Sequence, residues 1–164
     1  MRTVLRSVIS GDATMTPFIA SRKILSAFKN VARPSPIEWV TGRSWRDDDI
    51  LDALTRGRRV NCSFVEEFQD CLPNFTHKAK MFAIPRYISY ALAHPELEIS
   101  DYLVGELGRI KDVFFQELTL RQIQALILGL RILEPNIRKY GSRTTHAELC
   151  LVQEQLRKLR KRLG

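Results

Sequence analysis

The sequence predicts an all-α protein, a single compact domain of about six or seven helices around two apolar core helices. Three observations predict it. Apolar residues recur at helical spacing in one segment after another. No alternating run longer than four or five residues occurs, so strands have no signature. Residues 76–93 and 119–133 are apolar over most of their circumference, the mark of helices surrounded by other helices. At 164 residues the chain is long enough to bury a core of its own.

The elements follow in order. Residues 1–15 read as a leader, either frayed or a short edge strand, with Met15 an alternative start; residues 16–164 form the domain. Thr16-Pro17 opens the first helix: the threonine caps, and proline takes a position whose N–H has no helical partner. Ile24, Leu25, Phe28 and Val31 continue its period. Arg33-Pro34-Ser35-Pro36 is a connector. Residues 38–45 form a loop with Trp39 and Trp45, and a loop tryptophan either pins the loop to the core or stands out as a binding anchor.

Ser44 caps a second helix to about residue 55, with Asp47, Asp48 and Asp49 where the dipole favours negative charge. Successive helical positions diverge by about 100°, so these carboxylates do not converge on a metal. Ile50, Leu51 and Leu54 form its buried stripe, and Gly57 ends it. A third helix over residues 63–72 buries Phe64, Val65, Phe68 and Leu72 before Pro73-Asn74 breaks it.

Thr76 caps the central helix. Between Met81 and Ala93 only Arg86 and Ser89 are strongly polar. That run spans about 20 Å, short of a bilayer core of about 30 Å, so it is no membrane span. Pro85 either kinks the helix or starts a new one, and both leave carbonyls near Met81 in need of partners. His94-Pro95 ends the element.

Ser100 caps the next helix, with Tyr102, Leu103, Leu107 and Ile110 inward; Gly105 and Gly108 either weaken it or mark close packing. Thr119 caps the second core helix, whose stripe is Leu120, Ile123, Leu126, Ile127, Leu130 and Leu133, widened by Leu128 and Ile132 and ended by Pro135. The last helix starts near Thr145. Its Leu149, Val152, Leu156, Leu159 and Leu163 form a heptad seam. That seam faces the protein's own core or, in the alternative, a second copy of the chain, which would make a homo-oligomer.

The net charge of +8 is unevenly spread: +5 over residues 1–60, −3 over 61–137 and +6 over 138–164. Basic ends suit an acidic protein partner, with nucleic acid or anionic lipid as alternatives, or they are solvated faces that keep the protein in solution. The candidate partner-binding residues are Arg56, Arg58 and Arg59 in a basic turn, Arg86 in the central helix, and Arg157, Lys158, Arg160, Lys161 and Arg162 near the C-terminus. An arginine in so apolar a helix as Arg86's must snorkel to solvent or be paired, by a bridge to an acid or by an anion in a cleft beside Pro85.

No phosphate-binding, dinucleotide or nucleophile-elbow motif is present, and the histidines and cysteines lack metal-ligand spacing. No catalytic residue, cofactor or metal is expected. Three cysteines without a close pair point to a reduced, cytoplasmic setting, and the N-terminus lacks a secretory signal.

Phe82-Ala83-Ile84-Pro85-Arg86-Tyr87, the later Leu118-Thr119 with Gln122, and the upstream Gly42-Arg43-Ser44-Trp45 together resemble a small uncharacterised bacterial helical domain family over residues 16–134. The resemblance implies a helical fold and a bacterial source and assigns no chemistry. The leading functional expectation is a non-enzymatic protein-binding module, most concretely an immunity- or antitoxin-like neutraliser of a bacterial toxin. A nucleic-acid-binding regulator using the basic ends is the alternative. An enzyme with a cleft near Arg86 is the third.

Overall fold

The computed structural model describes residues 15–110 and 112–164, and among them it holds eight helices and no strand. They are α1 (Pro17–Ala27), α2 (Arg46–Thr55), α3 (Cys62–Glu67), α4 (His77–Ala93), α5 (Ile99–Arg109), α6 (Asp112–Gln116), α7 (Leu120–Tyr140) and α8 (Arg143–Leu163). Single 3-10 turns occupy Pro36–Glu38 and Leu72–Asn74. The leader assigned to residues 1–15 lies, apart from Met15, outside the described residues.

The two apolar segments are the centre, as expected. α4 is packed by α1, α3, α5 and α7, while α7 lies between α1 and α8, and α5 closes against α8. The caps are local chemistry: Thr16, Asn61, Thr76, Thr119 and Ser142 each accept from the backbone N–H three residues on. Thr119 and Gln122 complete a reciprocal capping box. Gly57 sits at φ 82°, and the Gly57 and Arg58 N–H groups donate to Leu54 and Ala53, so α2 ends in a Schellman turn.

Several expected boundaries move. α3 stops at Glu67, and Leu72 belongs to the following 3-10 turn. α5 begins at Ile99, so Ser100 is inside it and not its cap; Tyr102 is exposed. Leu25 likewise points outward. Asp47 supplements Ser44 at the start of α2, its Oδ2 accepting from the Arg43 and Ser44 N–H groups at 3.0 and 3.3 Å. α7 runs through Pro135 to Tyr140. Pro135 and Arg131, whose carbonyl the proline leaves without its N–H, are both exposed, so water can serve it while Leu133 and Ile137 stay buried.

α4 also continues through its proline. Among the described residues Arg86 makes no bridge to an acid; its guanidinium folds back along its own helix and donates to the Phe82 carbonyl at 2.5 Å. It lies over the Phe82 ring, 3.5 Å from its centroid. That carbonyl is next to Met81's, the one that Pro85 leaves without its helical N–H. Burial, and then the nearby charge of Arg33, lowers the Arg86 pKa.

The two tryptophans part company. Trp39 is fully buried, Trp45 is 79% exposed. The Trp39 indole donates to the Pro34 carbonyl at 3.1 Å. The Trp39 carbonyl accepts from the Thr76 N–H at 2.8 Å, which fixes the start of α4. Beside it, Lys78 lies 2.8 Å from Glu38; that contact and the Ser35 hydrogen bonds hold the Glu38 carboxyl down at about 2.

Gly129 is where α7 comes closest to its neighbours. A Cβ there would lie 2.7 Å from Ile88 Cγ2 on α4 and 3.0 Å from Ile24 Cδ1 on α1. Gly129→Ala is expected to lose about 1–3 kcal/mol through overpacking, despite alanine's higher helix propensity. Chemical denaturation measures it, and a stabilised variant would contradict this packing. At Gly105 and Gly108 an added methyl would meet Glu148 of α8 at 3.4–3.5 Å, ordinary contact, so these glycines mark close packing without demanding it.

The heptad seam is spent internally. Leu149, Val152, Leu156 and Leu159 are buried in the protein's own core, leaving Leu163 half exposed. A dimer through that seam would require α8 to leave α7 and α5.

Cys62 and Cys150 are exposed, whereas Cys71 is buried. Burial, with Asp70 beside it, pushes the Cys71 thiol up to about 12. In a native thiol titration two cysteines should react quickly and the third only as the protein unfolds; three equal rates would contradict the burial of the 68–72 segment.

Candidate functional site

α1 and α7 pack through Ala20 and Ile24 on one side and Gly129 on the other, with small residues at the contact. Beside this contact the helices diverge, and a groove of about 590 Å³ opens. Ile19, Ala27, Ala125 and Leu128 give it apolar walls; Arg22, Lys23 and Arg121 give it charge, with Ser26 and Gln124 between. Arg121 donates to the Ser26 hydroxyl at 2.9 Å, a contact joining residues far apart in sequence. Among the described residues no carboxylate lines this groove.

A second groove of about 540 Å³ lies between α6 and α8. Phe115 and Leu159 form its apolar part, and Lys158, Lys161 and Arg162 its charged part, again with no carboxylate among the described lining residues. The two grooves share one end of the molecule: Leu120, next to Arg121, has its Cδ2 3.9 Å from the Cβ position of the C-terminal Gly164. Six cations among the described residues therefore line the two grooves, one between α1 and α7 and the other between α6 and α8, with the start of α7 beside the end of α8.

Acids collect elsewhere. Glu96, Glu98 and Asp101 line a cleft by the end of α7, and Asp101 and Glu148 line another between α5 and α8. Burial, with Glu98 nearby, raises the Asp101 pKa. Cations stand near these carboxylates too, Arg109 in the second cleft and Arg138, Lys139 and Arg143 at the turn from α7 to α8, so what sets the two basic grooves apart is the charge of their own linings.

The sequence-derived candidates divide. Lys158, Lys161 and Arg162 come together on the second groove, while Arg157 and Arg160 are exposed on α8 outside its lining. Lys158 also pairs with Glu154 at 2.7 Å and lowers that carboxyl's pKa. The basic turn is differently employed. Arg56 pairs with Asp52 at 3.0 Å. Arg58 pairs with Glu67 at 2.5 Å, donates to the Ser63 carbonyl and stacks over Phe64 and Phe68. Only Arg59 of the three is exposed without such contacts among the described residues. Arg86 lines neither groove. Arg22, Lys23 and Arg121 were not among the candidates; their faint signal is a dibasic pair in α1 and an Arg-x-x-Gln in α7.

No helix among the described residues is long and apolar enough to cross a membrane. Among the same residues no group of three His, Cys, Asp or Glu could hold a metal ion. No family model, curated protein or solved structure matches the chain, so the resemblance of the segment around Pro85 to a bacterial domain family rests on those residues alone.

Proposed function

We propose that the protein is a non-enzymatic binding module that engages an acidic protein partner through its basic end. The observation that carries this reading is the pair of grooves lined by Arg22, Lys23, Arg121, Lys158, Lys161 and Arg162, with no carboxylate among the described lining residues. Opposed charge steers such a partner in and sets its orientation. The apolar walls of both grooves supply the water-excluding contact that charge alone lacks. A neutraliser of a toxic enzyme, of the immunity or antitoxin kind, is the most concrete form of this module.

Affinity capture from native lysate, with and without nuclease, tests the reading. One stoichiometric protein is expected, surviving nuclease and released as salt screens the contact. For a neutraliser, adding the module should suppress the captured partner's activity. Material that vanishes with nuclease would contradict the reading and favour nucleic acid, for which log affinity should fall with log salt by about 0.7–0.9 per phosphate contacted.

A further inference from the structure

We infer that the α1–α7 groove is a seat for an acidic amphipathic helix of the partner, held by Arg22, Lys23 and Arg121 and floored by Ala125 and Leu128. This rests on the binding-module reading above and assigns the partner's recognition element to one of the two grooves.

Three features distinguish this groove from a general basic surface. Its walls are two long helices, and a third helix lying along the trough between a helix pair repeats the ridge-and-groove packing by which α7 already sits on α1 and α4. Its floor is made of small and aliphatic side chains, which accept a leucine or phenylalanine ridge and offer a phosphate nothing. Its outer rim is unusually apolar for solvent: Phe18 is 70% exposed, and Ile19 and Leu25 of the same helix are also open. Phe18 lies under the Arg22 guanidinium at 5.9 Å, so charge and apolar surface are interleaved on one helix.

Charge complementarity chooses the occupant. Three cations and no carboxylate call for an anionic face, and the apolar floor and rim call for an apolar one on the same segment. An amphipathic helix with glutamate and aspartate along one edge supplies both. Single-stranded nucleic acid would match the cations, but its bases need a row of aromatic platforms, and Phe18 at the rim is a single ring, with no aromatic residue among the described lining residues of the groove itself. The chain's first 14 residues carry Arg2 and Arg6 against Asp12, so they bring no anionic face.

The test uses the full chain and a labelled synthetic peptide of about 15 residues, about four helical turns, with leucines on one face and glutamates on the other. Fluorescence anisotropy at low salt should show it binding at least roughly tenfold tighter than a scrambled peptide of equal composition, or than single-stranded DNA of equal charge. The double variant Lys23→Glu with Arg121→Glu should lose roughly tenfold or more. Leu128→Gln, which leaves the charge alone, should lose severalfold; Arg143→Glu, at the exposed start of α8 and outside both grooves, should change nothing. Circular dichroism confirms that each variant is folded. Equal binding of the scrambled peptide, or no binding of the ordered one, would overturn the inference. Binding abolished by Lys161→Glu with Arg162→Glu but not by the α1–α7 variants would also overturn it, while leaving the basic-end reading standing. DNA binding as tightly as the ordered peptide would overturn both.

Discussion

Trp39→Ala is expected to cost about 3–5 kcal/mol, a large share of the stability of a domain this size. The indole is fully buried and meets Phe64, Phe75 and Phe82 edge-on at centroid distances of 5.3–6.0 Å. Three segments depend on it: the loop after Pro34, α3, and the start of α4. Losing the ring leaves a cavity among helices already committed to other neighbours, and it orphans the Pro34 carbonyl. Trp45→Ala, a few residues on, should change stability by no more than about 0.5 kcal/mol, because that ring meets solvent and the Arg46 guanidinium. Urea unfolding of the two variants side by side is the check. Equal losses would mean that Trp39 does not pin the loop.

The second large effect is expected at Glu106. This side chain is nearly inaccessible on α5, and its Oε1 lies 2.6 Å from Lys80 Nζ on α4. Glu106→Gln keeps the shape but leaves a largely buried ammonium without its counter-ion, at a cost of about 3 kcal/mol. Lys80→Met combined with Glu106→Leu should recover most of that loss, since an apolar pair removes both desolvation costs together. If the double variant is as damaged as the single one, the pair is holding more than its own charges.

Much of the fold was legible because its signals are local. A cap and the N–H it serves are three residues apart, and a helical stripe repeats every three or four. Thr76, Thr119 and the seam from Leu149 to Leu159 could therefore be read directly. α6 escaped notice because five residues barely complete a turn and a half, too few for a period to show. Pro135 misled because whether a proline ends a helix depends on where the freed carbonyl points, and its exposed face is a tertiary fact. Ser100 misled for a similar reason: the helix start moved upstream of it and left its hydroxyl buried.

The site was less legible than the fold. Lys158, Lys161 and Arg162 stand in one run, so their charge was visible, although the groove that α6 makes with them was not. The α1–α7 groove joins Arg22 and Lys23 to Arg121 across almost 100 residues, and neither half is remarkable alone. Arg56 and Arg58 erred in the opposite direction. A basic turn looks free until Asp52 and Glu67 are brought against it. Arg86 found a carbonyl and a ring on its own helix, contacts four residues back that its charge alone did not announce.

The central claim, that the basic end is the binding surface, is tested most directly by charge reversal in the capture experiment. One variant carries Arg22→Glu, Arg121→Glu, Lys161→Glu and Arg162→Glu; a second carries Arg59→Glu alone. The account predicts that the first, folded by circular dichroism, loses its captured acidic protein by roughly tenfold or more, with association slowed and its salt dependence flattened. The second should retain it. Undiminished capture by the first variant would contradict the account and move the search for the interface away from the grooves.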